Sequence, residues 1–278
     1  MTSAKQDAED QAAAWNGAAG LSWVEAQKSL DQLMKPLEDL LVETVLARGA
    51  RSVLDVGCGT GATTLAIARA LGGGNCVGVD ISEPMLALAR ARAEQERVSA
   101  IFVRADAENY AFEPKSFDTV VSRFGVMFFA DPVRAFANLR SAAGQGANLA
   151  VIAWRSPAEN PFMTAAERAA APFLPEIPPR RIDVPGPFAF ADARRVRDIL
   201  EASGWADIEV RPLDVVCTFA TVDLAGYVTR IGPLARVLRT ADEQTRARII
   251  ATVLPAFDRY VDGDEVRFVA ACWWITAS

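Results

Sequence analysis

The segment "SVLDVGCGTGATT", residues 52–64, constrains the fold more than any other part of the sequence. Its apolar run contains one acid, Asp55, and then breaks into glycines at positions 57, 59 and 61. This pattern predicts a buried strand that enters a tight turn before a helix. Glycines let backbone amides approach a ligand closely, and the following helix presents its positive N-terminus. The segment therefore predicts a nucleotide-like ligand at the end of a strand.

Strand and helix patterns alternate from residue 52 to residue 154. The predicted strands are "SVLDV", "CVGVD", "AIFVRAD", "FDTVVS" and "ANLAVIAW". Between them we expect a helix over 62–71, a second helix capped by Ser82 and a third opened by Asp131 and Pro132. Five strands alternating with helices imply a parallel sheet with helices on both faces.

Two further strands are expected near the C-terminus, in "DIEVRPLDVVCTFA" and "EVRFVAACWWITA". The last is apolar on both alternating faces, so we expect it inside the sheet, antiparallel and next to the sixth strand. The predicted fold class is α/β, with a doubly wound, seven-stranded, mostly parallel sheet.

The remaining segments are expected to be helical additions to this sheet. Residues 21–48 show apolar side chains at helical spacing, and Pro36 is expected to start a second helix or kink the first. We expect an N-terminal helical cap over 1–50 and one α/β domain over 51–278. Insertions at about 155–190, where eight of the fifteen prolines fall between 157 and 187, and at about 223–260 are expected to form a lid over the site.

The residue inventory excludes several kinds of chemistry. The chain has no histidine, which removes Ser-His and Cys-His catalysis and the H-E-x-x-H zinc site. Its four cysteines contain no C-x-x-C pair, so we expect neither a metal site nor a disulfide framework.

Charge and hydropathy favour a cytoplasmic protein without a nucleic-acid partner. The net charge is −6, and "PPRR" at 178–181 is the one short basic run, so we do not expect nucleic acid as a partner. No apolar stretch approaches the ~20 residues needed to cross a bilayer. The acidic start lacks a signal core, so we expect no membrane insertion and a cytoplasmic location.

Two ligand classes fit the glycine turn, and Asp55 favours one of them. Gly57, Gly59 and Ala62 satisfy the dinucleotide pattern G-x-G-x-x-G/A, whereas Gly57, Gly59 and Gly61 satisfy a tighter G-x-G-x-G spacing. The Asp55 carboxylate would repel a pyrophosphate but suits an ammonium group beside a carboxylate, as in the methionine end of S-adenosylmethionine. Alternatively, Asp55 only caps the turn.

The end of the second predicted strand offers contacts for an adenosine group. Asp80 follows the glycines by about twenty residues and can accept hydrogen bonds from both ribose hydroxyls of either cofactor class. Ile81 and Met85 could bracket a flat adenine, because the thioether is a soft surface against a ring. The alternatives are that Asp80 caps the helix and that Ile81 and Met85 pack in the core.

Two later strand ends extend the candidate site. In "RADAEN", Asp106 could accept from the adenine amine and the Ala107 amide could donate to a ring nitrogen; alternatively, Asp106 is a solvated loop acid. After the fourth strand, Ser122 and Arg123 should line the ligand crevice. Arg123 could instead form an ion pair with Asp118 or Asp131. An apolar wall is expected from Phe124, Met127, Phe128 and Phe129.

Four segments together resemble a known family. "VLDVGCGTG", "VGVDIS-PML", "RADAE" and "FDTVVSRFGVMFF", in this order and spacing, resemble the class I S-adenosylmethionine-dependent methyltransferases. The likeness is to the branch with the ubiquinone/menaquinone C-methyltransferases and bacterial small-molecule methyltransferases. It covers 15–154, including the leader "AWNGAAGLSWVEAQKSLDQLMKPL", and departs from the family at "SAAGQGANLA", where relatives commonly have a Pro-Gly-Gly turn.

The resemblance implies S-adenosylmethionine as cofactor, S-adenosylhomocysteine as product, and methyl transfer to a small molecule. The aromatic wall and the two insertions suggest that this acceptor is largely apolar. No catalytic base is nominated. The alternatives are a protein that binds this cofactor without transfer, or a dinucleotide-dependent oxidoreductase. The implied cofactor-binding residues are Asp55, Gly57, Cys58, Gly59, Thr60, Gly61, Asp80, Ile81, Met85, Asp106, Ala107, Ser122 and Arg123.

Overall fold

The structure is a mixed sheet flanked by helices, and it confirms the predicted fold class. The computed structural model describes residue 9, residues 11–173 and residues 184–278. The order of paired strands is β3-β2-β1-β4-β5-β8-β6, and a short β7 pairs with β8. The strands are β1 (Ser52–Val56), β2 (Asn75–Asp80), β3 (Ile101–Arg104), β4 (Phe117–Arg123), β5 (Ala143–Trp154), β6 (Glu209–Ala220), β7 (Val261–Asp262) and β8 (Glu265–Ala277).

The direction of the strands also matches the expectation. β1 pairs in parallel with β2 and β4, and β2–β3 and β4–β5 are parallel as well. β8 lies between β5 and β6 and is antiparallel to both. The carboxyl ends of β1 to β5 therefore share one edge of the sheet, where ligands bind in doubly wound folds.

Helices connect these strands and precede them. Residues 11–16 are also helical. The helices are α1 (Ala18–Glu25), α2 (Gln27–Ala47), α3 (Ala62–Leu71), α4 (Glu83–Glu96), α5 (Pro132–Ala142), α6 (Ala165–Ala170), α7 (Ala193–Ala202), α8 (Leu224–Arg230), α9 (Pro233–Thr240) and α10 (Glu243–Val253). No helix in the described ranges is both long and apolar enough to cross a membrane.

Two local predictions were wrong. Pro36 does not start a second helix, because α2 runs through it and the helical segment breaks at Ala26 instead. A kink at Pro36, the other alternative, stays a prediction. Leu33 and Leu37 are both buried on either side of the proline, so packing of that face outweighs one missing backbone hydrogen bond. Ser82 does precede α4, but its hydroxyl donates to the carbonyl of Trp15 rather than capping the helix.

Both predicted insertions meet at one aromatic side chain. Phe162, from the first insertion, stacks in parallel on Phe268 of β8 with ring centroids 3.9 Å apart. It also contacts the rings of Phe257 and Tyr260, from the second insertion, at 5.3 and 5.1 Å. Phe219 at the end of β6 and Tyr227 in the second insertion also lie against it, at 6.3 and 5.5 Å. The described parts of both insertions are thus anchored on the extended ends of β6 and β8; residues 174–183, which include "PPRR", lie outside the described ranges.

A side-chain amide continues the pairing of β8 beyond the end of β5. Asn160 is 1% exposed, and its Nδ2 donates to the Ala271 carbonyl (2.9 Å) while its Oδ1 accepts from the Ala271 N–H (3.0 Å). The side-chain amide thus replaces the backbone of a neighbouring strand as the hydrogen-bonding partner of Ala271. It satisfies the N–H and the carbonyl of this buried residue, which water does not reach.

We expect Asn160→Ala to destabilise the fold by about 2–3 kcal/mol, because it leaves the buried Ala271 N–H without an acceptor. Urea denaturation measures this free energy. The matched control is Asn75→Ala, which removes an exposed amide bonded to the Ser52 hydroxyl and should change stability by less than about 0.5 kcal/mol. Equal stability of the two variants would contradict this role of Asn160.

Candidate functional site

The three glycines after β1 have different structural roles. Gly57 has φ +68°, and a Cβ there would lie 2.5 Å from the Cα of Gly125, in the loop after β4. Gly61 has φ +84°, and its Cβ would lie 2.9 Å from that of Ala89. These two glycines are therefore required by close packing inside the protein. Gly125, which the sequence reasoning missed, is required for the same reason as Gly57.

Gly59 is the glycine whose open side faces the predicted site. A Cβ there would meet only the Met85 sulfur, at 3.8 Å. Its N–H donates to Asp80 Oδ2 at 2.8 Å, although the two residues are 21 positions apart. The structure therefore brings together Gly59, Asp80 and Met85, as the sequence predicted.

Asp80 holds two loops at once. Its Oδ2 accepts from Gly59, and its Oδ1 accepts from the Ser82 N–H at 2.8 Å. Burial raises the pKa of Asp80, and the hydrogen bonds from the amides of Ser82, Gly59 and Ile81 act in the opposite direction. Each carboxylate oxygen can accept a further hydrogen bond, so the group can both order the loops and receive ligand hydroxyls.

Cys58 and Thr60, between the glycines, face the protein. The Cys58 side chain packs with Leu65, Leu86 and Phe102, and burial raises the pKa of its thiol well above the usual value. The carbonyl of Thr60 accepts a hydrogen bond from Arg92 Nη1 at 2.8 Å. The thiol of Cys58 is therefore directed away from the open side of the loop, and a ligand contact by either residue stays a prediction.

Asp55 is 1% exposed and accepts a 2.6 Å hydrogen bond from the Thr64 hydroxyl, in the first turn of α3. Burial raises the pKa of Asp55 to about 6, and Thr64 and the positive charge of Arg123 oppose that rise. Asp55 thus has a structural bond that fits its predicted alternative role as a capping group. Its contact with a ligand ammonium stays a prediction.

Arg123 extends from β4 to helix α2, where its Nη1 donates to the Met34 carbonyl at 3.3 Å. In the described ranges it forms no ion pair with Asp118 or Asp131, the two partners considered from the sequence. Asp118 instead accepts from the backbone of residues 51 and 52, and Asp131 caps α5. Arg123 carries its charge into the space between β1, β4 and α2.

Glu38 belongs to this space and was missed from the sequence. It is 5% exposed on α2, and burial raises its pKa, while the charges of Arg123 and Lys35 lower it. The sequence offered one sign of a functional role for Glu38, since it is an acid within a helical face that is otherwise apolar. Glu38 and Asp55 both feel the charge of Arg123, and Asp80 in turn acts on Asp55. Three acids with one guanidinium are an arrangement that favours a ligand carrying positive charge.

The loop after β4 is fixed by Ser122 and by a strained residue. Ser122 Oγ donates to the Val56 carbonyl (2.7 Å) and accepts from the Gly125 N–H (3.2 Å), so it ties β4 to the end of β1. Phe124 has φ +66° and stacks on Trp154 with centroids 4.2 Å apart. Met127 is also buried, so these two members of the predicted apolar wall fill the core. Positive φ at a non-glycine residue is a feature that clusters at functional sites.

The predicted adenine contacts lie in the loop after β3. Asp106 accepts from the Glu108 N–H (2.9 Å) and from Asn109 Nδ2 (2.6 Å). The Ala107 N–H has no partner among the described residues and remains available as a donor. Any ligand amine would therefore share Asp106 with Asn109.

An N-terminal segment covers the ends of β2 and β4. The Asn16 side chain donates to the Ile81 carbonyl (3.0 Å) and accepts from the Glu83 N–H (3.0 Å). The ring of Trp15 meets that of Phe128 edge-on, with centroids 5.2 Å apart. Trp15 and Asn16 lie in the leader that carried the family resemblance, yet no pattern singled them out as site residues.

A cavity of about 250 Å³ opens between the start of α2 and the segment 222–230. Ser29 and Leu30 line one side, and Tyr227 and Arg230 line the other. Burial raises the pKa of the Tyr227 phenol. The cavity lies past the carboxyl end of β6, on the same edge of the sheet as the glycine loop.

The pKa of Asp55 predicts a pH-dependent effect of Asp55→Asn. Because the folded pKa of about 6 exceeds the ordinary 3.8, the native state holds a proton that the unfolded chain has lost between these values. The contribution of Asp55 to the free energy of unfolding of the wild type therefore falls as pH rises from 4 to 6. The side chain introduced by Asp55→Asn does not titrate, so this variant should become more stable relative to the wild type by about 3 kcal/mol across that range.

Urea denaturation between pH 4 and 7 measures the difference. Asp264→Asn, which changes an exposed carboxylate, serves as the control and should follow the wild-type profile. Parallel profiles for Asp55→Asn and wild type would contradict a buried Asp55 with a raised pKa.

Comparisons with known proteins agree with this geometry. Residues 53–146 match the family model described as a methyltransferase domain. The demethylmenaquinone methyltransferase of Thermus thermophilus is 33% identical over 121 residues, which are 44% of this chain and 55% of that protein. The nocamycin O-methyltransferase of Saccharothrix syringae is 35% identical over 102 residues, 36% of each chain.

Structural likeness extends over more of the chain. The YcgJ protein of Bacillus subtilis superposes with a TM-score of 0.56 at 18% identity, covering 86% of this chain and 96% of that one. This likeness concerns the fold. The sequence matches cover only 55% of the length of the Thermus relative and 36% of the length of the Saccharothrix relative. Together with the glycine loop and the strand order, these matches identify residues 53–146 as a methyltransferase domain of the class I S-adenosylmethionine-dependent type.

Proposed function

We propose that this protein transfers the methyl group of S-adenosylmethionine to a small, largely apolar acceptor. The observation that carries the proposal is the Asp80 carboxylate, which is bonded to Gly59 and Ser82 beside the open side of the glycine loop. A buried carboxylate with free acceptor capacity at the end of β2 suits the two hydroxyls of a ribose.

The residues present fit the remaining parts of the cofactor. Ile81 and Met85 are proposed to flank an adenine ring next to Asp80. The Ala107 N–H, which has no partner among the described residues, is a donor for the edge of that ring. Glu38 and Asp55 provide negative charge for the ammonium and sulfonium groups. Arg123 limits the repulsion between these carboxylates.

The chemistry needs little acid–base assistance from the chain. When bound, the cofactor supplies a methyl group that is already electrophilic. The protein then has to hold an acceptor in line with that group and exclude water, and orientation of this kind can contribute about 7–11 kcal/mol at most. This requirement suits a chain without histidine.

The acceptor is proposed to bind between α2 and the second insertion. The cavity there combines small or apolar residues with four polar groups, the Ser29 hydroxyl, the Tyr227 phenol, the Asp223 carboxylate and the Arg230 guanidinium. Apolar walls with a few polar groups are typical of sites for small organic molecules. The two relatives above are named for small-molecule acceptors, demethylmenaquinone and nocamycin, which supports an acceptor of that class.

Incubating the purified protein with methyl-labelled S-adenosylmethionine and a small-molecule cell extract tests the proposal. We expect label in an organic product, and Asp80→Asn should weaken S-adenosylhomocysteine binding about 10- to 100-fold, because a charged acceptor is lost. Calorimetry measures that affinity, and Asp198→Asn, an exposed acid of α7, should leave it unchanged.

Three outcomes would contradict the proposal. Binding of S-adenosylhomocysteine without label transfer to any fraction would indicate a protein that only binds the cofactor. Binding of a nicotinamide dinucleotide instead would indicate an oxidoreductase. Label found only in protein or RNA would exclude a small acceptor.

Filling the cavity should separate acceptor binding from cofactor binding. We expect Ser29→Trp to reduce label transfer more than tenfold while changing the affinity for S-adenosylhomocysteine less than twofold, because the indole would occupy acceptor space. Lys28→Trp, at the exposed neighbouring position of α2, is the control and should retain transfer. Full transfer by Ser29→Trp would place the acceptor elsewhere.

A further inference from the structure

Arg92 is a partly buried arginine that the cofactor residues above do not include. It lies on α4, and its side chain is 15% exposed. Nη1 donates to the carbonyl of Thr60 at 2.8 Å, and Nη2 donates to Asp31 Oδ2 on α2 at 2.7 Å. One guanidinium therefore joins the glycine loop to a helix that precedes it by about thirty residues.

The orientation of the Thr60 carbonyl determines the conformation of the glycine loop at this point. Thr60 lies between Gly59 and Gly61, which both have positive φ. Glycine has more backbone freedom than any other residue, so the backbone on both sides of Thr60 can change conformation easily. The Gly61 N–H of the same peptide unit donates to the Cys58 carbonyl at 3.0 Å. With Arg92 on the carbonyl side, both polar groups of this peptide unit are held.

The loop is thus fixed by two side chains from outside it. Asp80 bonds the Gly59 N–H, and Arg92 bonds the Thr60 carbonyl. Asp80 is placed to touch the cofactor itself, whereas both bonds of Arg92 are made to protein groups. Arg92 can therefore influence the cofactor only through the loop.

Asp31 orients Arg92 from the opposite side. Its Oδ2 also accepts from Gln27 Nε2 at 2.5 Å, so it is held within α2. A planar guanidinium can bond a carboxylate and a carbonyl in two directions at once, which a lysine cannot do with the same geometry. The arrangement couples the docking of α2 to the shape of the glycine loop.

We propose that Arg92 is a positioning residue that, held by Asp31, fixes the glycine loop for the amino-acid end of the cofactor. The inference rests on the proposed function, because it assumes that the loop receives the methionine portion. The adenosine portion is proposed to bind Asp80 and the β3 loop, and so depends less on Arg92.

Two ligands separate these portions. S-Adenosylhomocysteine carries both, whereas 5′-methylthioadenosine lacks the amino-acid end. We expect Arg92→Leu to weaken S-adenosylhomocysteine binding about tenfold, the effect of losing a hydrogen bond from a charged group, and methylthioadenosine binding less than twofold. Calorimetry well below the melting temperature of each variant gives both affinities. Arg92→Lys should recover only part of the lost affinity.

Arg90→Leu is the matched control. Arg90 lies on the same helix and pairs with Glu83 at 2.7 Å, but both partners are exposed and neither contacts the glycine loop. We expect its affinities for both ligands to stay within twofold of wild type. A merely structural Arg92 would lower the melting temperature and leave both affinities unchanged, or weaken both equally, and either result would overturn the inference.

Combining Asp31→Asn with Arg92→Leu tests the link to α2. If Asp31 acts through Arg92, the double variant should bind S-adenosylhomocysteine no more weakly than Arg92→Leu alone. Additive losses would overturn that link. Failure of the wild-type protein to bind S-adenosylhomocysteine would contradict the proposed function itself, and so is distinguishable from a normal affinity in Arg92→Leu.

Discussion

The candidate site depends on one carboxylate that is shared between two loops. Asp80 ends β2 and accepts hydrogen bonds from the amides of Gly59 and Ser82, one in each loop. Burial disfavours its charge, and the surrounding amide donors compensate for part of that cost. This group gives the glycine loop and the start of α4 a common hydrogen-bonding partner. Arg92 then adds a second attachment on the far side of the loop.

Local sequence patterns predicted much of this arrangement because the fold repeats simple units. An apolar strand followed by glycines identified β1 and α3, and the doubly apolar final segment identified β8 with its antiparallel position. Since parallel strands end at the same edge, residues just after β1 and β2 had to be neighbours. Gly59, Asp80 and Met85 follow from that rule.

Other residues were missed because their partners are distant in the sequence. Asn16 contacts residues 81 and 83, Arg92 contacts Asp31, and Gly57 meets Gly125 backbone to backbone. No periodicity relates such positions. The errors at Pro36 and Ser82 have the same cause, since burial of the α2 face and a hydrogen bond to Trp15 outweighed local preferences that were correctly read.

The Phe162 cluster makes the two insertions a single mechanical unit. Phe162 belongs to the first, Phe257 and Tyr260 belong to the second, and all pack over the ends of β6 and β8 rather than over the cofactor loops. A change in the size of any one ring would move both insertions together. Because these rings lie away from the glycine loop, changes in this part of the chain leave the hydrogen bonds of Asp80 in place. The aromatic cluster therefore joins both insertions into one packed unit that is separate from the proposed cofactor site.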